Sequence, residues 1–197
     1  MTDITSDAAS GQRSVAASNS SKSEGSGEVR EETAPLDPVA CVELFYFAYR
    51  DFTCDPDTIL EHYGFGRAHH RVLHFVHRNP GLKVAELLEI LKITKQALAR
   101  VLKQLVDEGF IIQRAGDEDR RERRLYVSTK GARLTDKLTE IQTKRVEAAL
   151  AKAGPGAEGL TRRFLFGMIA EKDRPYVEAL INAGGANTAI KTRNGAD

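Results

Sequence analysis

Between Lys95 and Lys103 the side chains able to hydrogen-bond recur at helical spacing. At 100° per residue, Gln96, Ala99, Arg100 and Lys103 fall on one side of a helix, and Leu98, Val101, Leu102 and Leu105 fall on the other. Long donors around one small residue suit a helix laid in the major groove of double-stranded DNA. There arginine reads guanine bidentately, glutamine reads adenine, and alanine allows close approach to a thymine methyl. Lys95 and Lys103 could equally hold phosphates, which position a helix without specifying a sequence. The same face could also be the solvated side of an ordinary amphipathic helix. The segment C-terminal to it weighs against that: Gly116-Asp-Glu-Asp-Arg-Arg-Glu-Arg-Arg124 crowds four arginines, Arg120, Arg121, Arg123 and Arg124, at the tip of a two-stranded ribbon. An arginine-tipped hairpin suits the narrow minor groove, whose potential favours guanidinium.

Both features need elements to hold them. Thr94 is a good N-cap for a helix reaching about Glu108, and Gly109 suits its C′ position. A short helix over Val84–Leu91 and a two-residue turn, Lys92-Ile93, precede it, which is helix-turn-helix spacing. Phe110–Arg114 and Arg124–Ser128 read as strands flanking the arginine loop, a wing. Upstream, a helix over Arg67–Arg78 is stopped by Asn79-Pro80-Gly81. The first helix opens near Pro38 and runs to about Thr53, with a short helix over Pro56–His62 behind it. It holds five of the thirteen aromatic residues, Phe45, Tyr46, Phe47, Tyr49 and Phe52. That is too many for one narrow stripe, so contacts on more than one side are expected. A long helix from Thr129 to about Ala153 is broken at Gly154-Pro155-Gly156, and a last amphipathic helix spans about Glu158–Ile181. The expected fold is mainly α with a small β-hairpin wing.

Composition bounds the class of protein. The chain has 197 residues, 41% hydrophobic and 29% charged, with two cysteines. That is an ordinary soluble composition, without the cysteines of a disulfide scaffold or an apolar run of membrane-spanning length. A cytoplasmic location and no membrane partner are expected. The net charge of +1 conceals segregation. Residues 1–66 carry −8, residues 67–133 carry +7 and residues 134–197 carry +2. A basic middle block points to an anionic partner. Residues 1–34 are rich in Ser, Gly, Ala and Glu without aromatics and are expected to be disordered, as is a tail over 184–197. An enzyme is not expected, since nucleophile elbow, phosphate-binding glycine loop and zinc-protease motif are all missing from the sequence.

The chain resembles the MarR family of bacterial transcription regulators over about residues 40–183. The resemblance rests on Arg71-Val-Leu, Asn79-Pro-Gly-Leu-Lys-Val-Ala-Glu-Leu and the helix end Leu105-Val-Asp-Glu-Gly-Phe110. It is most specific at Asp119-Arg-Arg leading into Val127-Ser-Thr-Lys-Gly131. Tyr63-Gly-Phe-Gly-Arg-Ala-His-His70 is similar to an alphaproteobacterial branch of PetP-type regulators. The family implies a winged helix over 67–129 and a helical dimerisation region formed by 35–66 and 130–183. It implies a homodimer on a pseudo-palindromic operator. By match, Asp119 would buttress the wing by pairing with Arg121, and Arg120 or Arg121 would enter the minor groove. Phe45, Phe47, Phe52, Leu165, Phe166 and Ile169 are the expected dimer contacts. Two other uses of a winged helix stay open: binding only protein, or coating DNA without regard to sequence.

All five histidines fall between residues 62 and 77, and His70, His74 and His77 share one side of their helix. Zinc favours histidines at such spacings. Arg67, Arg71 and Arg78 border them and would repel a cation, so a partly solvated or phosphate-facing stripe is the preferred reading. In this family small-molecule effector pockets lie near where this helix meets the dimerisation helices, and some relatives sense zinc; a zinc or haem titration separates these cases. Cys41, close to Tyr46 and Tyr49, is a candidate redox thiol beside the commoner reading of an inert buried cysteine.

Overall fold

The computed structural model describes residues 37–116 and 120–194. The expected disorder of 1–34 and the expected role of Asp119 therefore lie outside the described residues. The chain divides after Asp37, and Pro38 onward forms one compact unit.

Helix α1 spans Pro38–Glu61, α2 spans Arg67–Arg78, α3 spans Val84–Leu91 and α4 spans Lys95–Asp107. A three-stranded antiparallel sheet is ordered β1 (Leu82–Lys83), β3 (Arg123–Val127), β2 (Ile111–Ala115). Helices α5 (Thr129–Ala153), α6 (Ala157–Gly167) and α7 (Arg174–Asn194) complete the chain. The core lies where these elements converge: Val72, Leu73 and Val76 from α2, Leu87 from α3, Leu98 and Leu105 from α4, Leu125 from β3 and Leu138 from α5 are fully buried or nearly so. Leu98, Val101, Leu102 and Leu105 form the buried stripe expected of α4. Among the described residues no helix is long and apolar enough to cross a membrane.

Four departures from the sequence reading have physical causes. Helix α1 does not stop at Thr53 but continues through Pro56. A proline cannot donate to the carbonyl four residues back; here that carbonyl, Phe52 O, accepts instead from Gln142 Nε2 of α5 at 3.4 Å. The tertiary contact keeps the carbonyl partnered. The last helix is two helices with a 3-10 turn, Glu171–Asp173, between them. Arg174 ends α6 by donating from Nε to Ile169 O and from Nη2 to Gly167 O, at 3.0 and 2.9 Å, and Pro175 starts the next helix. Helix α7 runs on to Asn194, so the segment from Gly184 is not a disordered tail up to that point. Gly184 is buried, and a Cβ there would lie 2.8 Å from Arg78 Nε, which ties α7 to α2. Strand β1 is only two residues long, too short for a periodicity to show.

Candidate nucleic-acid interface

Helix α4 is set by its ends. Thr94 Oγ1 accepts from Ala97 N at 3.1 Å, and Gly109 turns the chain out of the helix at φ +74°. Lys95, Gln96, Ala99, Arg100 and Lys103 are all exposed. Lys103 pairs with Asp107 one turn on, so its ammonium exchanges a partner rather than gaining one when it meets an anion. Under the helix a groove of roughly 620 Å³ has Leu88, Leu98 and Leu102 in its wall. Lys95, Ala99, Lys103 and Arg123 also line it, so the helix and the wing contribute cations to one groove.

Hydrogen bonds close the wing at its loop end. Gly116 N donates to Glu122 O at 3.1 Å, closing the hairpin, and Arg123 Nη1 donates to Arg120 O at 2.9 Å. Arg120, Arg121 and Arg123 are exposed. At the exit of the wing, Ser128 Oγ donates to Gly109 O at 2.6 Å and accepts from Gly131 N at 3.0 Å. Ser128 thereby joins the end of α4 to the start of α5.

Two groups that sequence reasoning passed over fix α4 in place. Gly66 N donates to His69 Nδ1 at 3.1 Å, which leaves the proton on Nε2. His69 Nε2 then donates to Gln104 Oε1 at 2.9 Å, and Gln104 Nε2 donates to Glu108 Oε1 at 3.0 Å. The ring of His69 stacks on Phe65 with centroids 4.8 Å apart. This chain of bonds runs from the start of α2 to the back of α4. Only the contact, not the spacing of 35 residues, marks His69 and Gln104 as partners.

The three histidines expected to share a stripe part company. His77 Nε2 lies 2.9 Å from Asp136 Oδ1 of α5. His70 and His74 instead line a cavity of roughly 350 Å³ with Tyr49, Phe52, Arg67 and Gln142, between α1, α2 and α5. Phe52, expected in the dimer contact, lines this cavity. Burial pushes the His70 pKa down, and burial with the nearby His70, Arg78 and His77 lowers that of His74 to about 4. Both rings are neutral at pH 7. Among the described residues no group of three or more His, Cys, Asp or Glu is placed to hold a metal ion.

These shifts carry a stability consequence. His74 binds a proton less readily folded than unfolded, so stability is intact above pH 6.5 and falls as the pH drops through 6.5 towards about 4. At pH 5 the loss relative to pH 7 is on the order of 2 kcal/mol. Chemical denaturation of the wild type and His74→Gln across this range should show a flatter profile for the variant. Parallel profiles would place the acid sensitivity elsewhere.

Of the expected dimer contacts, Phe45 meets Phe164 of α6 with ring centroids 5.7 Å apart. Phe47 and Leu165 are exposed, while Phe166 and Ile169 line a groove between α6 and α7 with Leu165 and Ile181. Tyr46 at 71%, Phe164 at 48% and Met168 at 60% exposure extend an uncovered apolar surface over α1 and α6. Cys41 is half-buried and Cys54 exposed, both as free thiols. Thirteen residues of helix separate them by about 20 Å, beyond the reach of a disulfide within one chain.

A helix-turn-helix whose second helix is exposed along its polar side, preceded by one short strand and followed directly by the hairpin that pairs with it in a three-stranded sheet, defines the winged-helix class. Solved structures share this fold. FabT of Streptococcus pneumoniae in complex with DNA superposes with a TM-score of 0.61 at 14% identity, covering 73% of this chain and 99% of that one. S. aureus MepR in its DNA-binding conformation gives 0.57 at 18%, covering 65% and 95%. The MarR family model matches residues 63–122. The HTH-type transcriptional regulator PetP of Rhodobacter capsulatus is 45% identical over 142 residues, which is 72% of this chain and 86% of that protein. The chain belongs to the MarR family.

Proposed function

We propose that the protein is a homodimeric transcriptional regulator that binds a pseudo-palindromic operator in double-stranded DNA. In this reading residues 67–129 are the DNA-binding unit, and 35–66 with 130–183 form the dimerisation region. The observation that carries it is the exposed Gln96, Ala99 and Arg100 face of α4, flanked by Lys95, Lys103 and the arginines of the wing. Gln96 and Arg100 read base edges, Ala99 lets the helix approach, and the lysines hold phosphates. Arg120, Arg121 and Arg123 approach the minor groove.

The exposed apolar side chains of α1 and α6 cluster on one region, and such clusters mark interaction surfaces. A second copy covers it in this reading, with Phe45, Phe47, Leu165, Phe166 and Ile169 in the contact. The cavity between α1, α2 and α5 then lies where the DNA-binding and dimerisation regions meet. Its neutral imidazoles, aromatic wall and Arg67 suit a small planar acid as effector. Arg67 is already held by Asp57 at 2.8 Å, so such a ligand competes for an occupied guanidinium.

A gel shift against the gene's own upstream region, with excess competitor DNA, tests the function. Retained, strongly salt-dependent binding is expected. Arg100→Ala is expected to cost about 1–3 kcal/mol and to relax preference at one base position per half-site. A uniform loss over all sequences would make Arg100 a phosphate contact. Affinity no better than for unrelated duplex would favour a sequence-neutral binder, and no duplex binding a protein-interaction module.

A further inference from the structure

The sheet register places three cations in one row. Lys83 of β1 pairs with Arg124 of β3, which pairs on its other side with Arg114 of β2. Paired residues of antiparallel strands share a face. The opposite face is the buried one, carried by Leu82, Leu125 and Ile111. The row therefore lies on the outer face of the wing, one residue pair in from the loop. Arg123, the neighbour of Arg124, points to the other face and lines the groove under α4. The ribbon thus carries cations on both faces.

Like charges in register repel, and one carboxylate offsets them. Glu122 Oε1 accepts from Lys83 Nζ at 2.6 Å, and its Oε2 lies 3.9 Å from Arg124 Nη2. Each oxygen faces one cation, as two oxygens of a phosphate would. The match is incomplete: Arg124 Nε is buried and has no hydrogen-bond partner among the described residues. Lys83 and Glu122 are each about one-third exposed, at 39% and 32%, so an incoming anion can reach them.

A wing whose tip arginines approach the minor groove stands between the two phosphate strands that border it. Arg123 would then lie towards one strand and the outer row towards the other. We propose that Lys83 and Arg124 form a phosphate-binding site for the second strand, and that Glu122 occupies this site in free protein and is displaced by a backbone phosphate in the complex. Glu122 is then a built-in competitor that lowers affinity for every duplex alike, and so restrains non-specific binding. The inference rests on the proposed DNA-binding function.

The test compares wild type, Glu122→Gln, Lys83→Met and the double variant on the upstream region and on an unrelated duplex, by fluorescence anisotropy across KCl concentrations. Glu122→Gln should tighten binding to both duplexes roughly three- to tenfold near 0.15 M salt and steepen the log–log salt slope by up to about 0.9, one phosphate. Lys83→Met should make the slope shallower, and Glu122→Gln should gain nothing in that background. A wild-type slope for Glu122→Gln, or a gain that persists with Lys83→Met, would overturn the assignment, because the carboxylate would then act only through the general field. Should Glu122→Gln melt well below the wild type, Lys83→Met decides alone: a slope shallower by about 0.9 supports the site and an unchanged slope overturns it. Failure of every form to bind any duplex would instead overturn the DNA-binding reading, and this site with it.

Discussion

Phe164→Glu is expected to yield a folded monomer that has lost most of its affinity for an operator. Phe164 is half-exposed in the single chain and rests against Phe45 at 5.7 Å, so a carboxylate there costs the protomer little. In the proposed dimer the same carboxylate is driven into an apolar contact without a partner, which is strongly unfavourable. Two recognition helices held on one dyad bind as a bivalent unit, and linking such heads gains about 10²- to 10⁴-fold over one alone. Operator affinity should therefore drop within that range while the far-ultraviolet dichroism stays unchanged. Sedimentation equilibrium provides the check: twice the chain mass of 21.7 kDa for wild type and the single mass for the variant. Leu165→Glu should behave alike. Wild type at the single mass, or variants that remain dimeric, would move the interface off α6.

Gly131→Ala is the second large effect, and it acts on the fold. A Cβ at this position would lie 2.1 Å from Phe110 O, a backbone atom that cannot rotate away. That carbonyl already accepts from Ser128 N at 2.9 Å, within the same junction that Ser128 Oγ makes with Gly109 O. Relief requires α5 to shift away from the root of the wing. Overpacking of this kind costs about 2–3 kcal/mol, a fall in Tm of about 5–10 °C for a chain of this length. Gly167→Ala, where the added carbon meets nothing within 4 Å, provides a control expected to stay near the wild type. Equal melting of the two variants would show that the junction yields freely.

The contrast between these residues shows what the sequence makes visible. The buried and exposed sides of α4 follow from a 3.6-residue repeat and two caps, so Leu98 and Arg100 could be assigned from spacing alone. Val84–Leu91 was legible for the same reason. Pro56 misled because its missing donor is compensated by Gln142, ninety residues from the carbonyl it serves. The division of the histidines depends on Asp136, on a helix whose approach to α2 no local pattern encodes. Gly131 could be noticed as part of a motif, but the steric reason for it appears only when Phe110 O is in place. Glu122 read as one more acid in a charged loop; its meeting with Lys83 needs the two-residue strand β1, too short to announce itself.

The most direct measurement is a hydroxyl-radical and methylation-interference footprint on the retained upstream fragment. A symmetric pair of α4 helices with flanking wings predicts two interfered major-groove patches centred about 10 bp apart on one face of the duplex, with backbone protection in the adjoining minor grooves. Arg100→Ala should erase interference at one position in each patch. A single patch, or even protection along the whole fragment without interference at any base, would contradict sequence reading by a dimer.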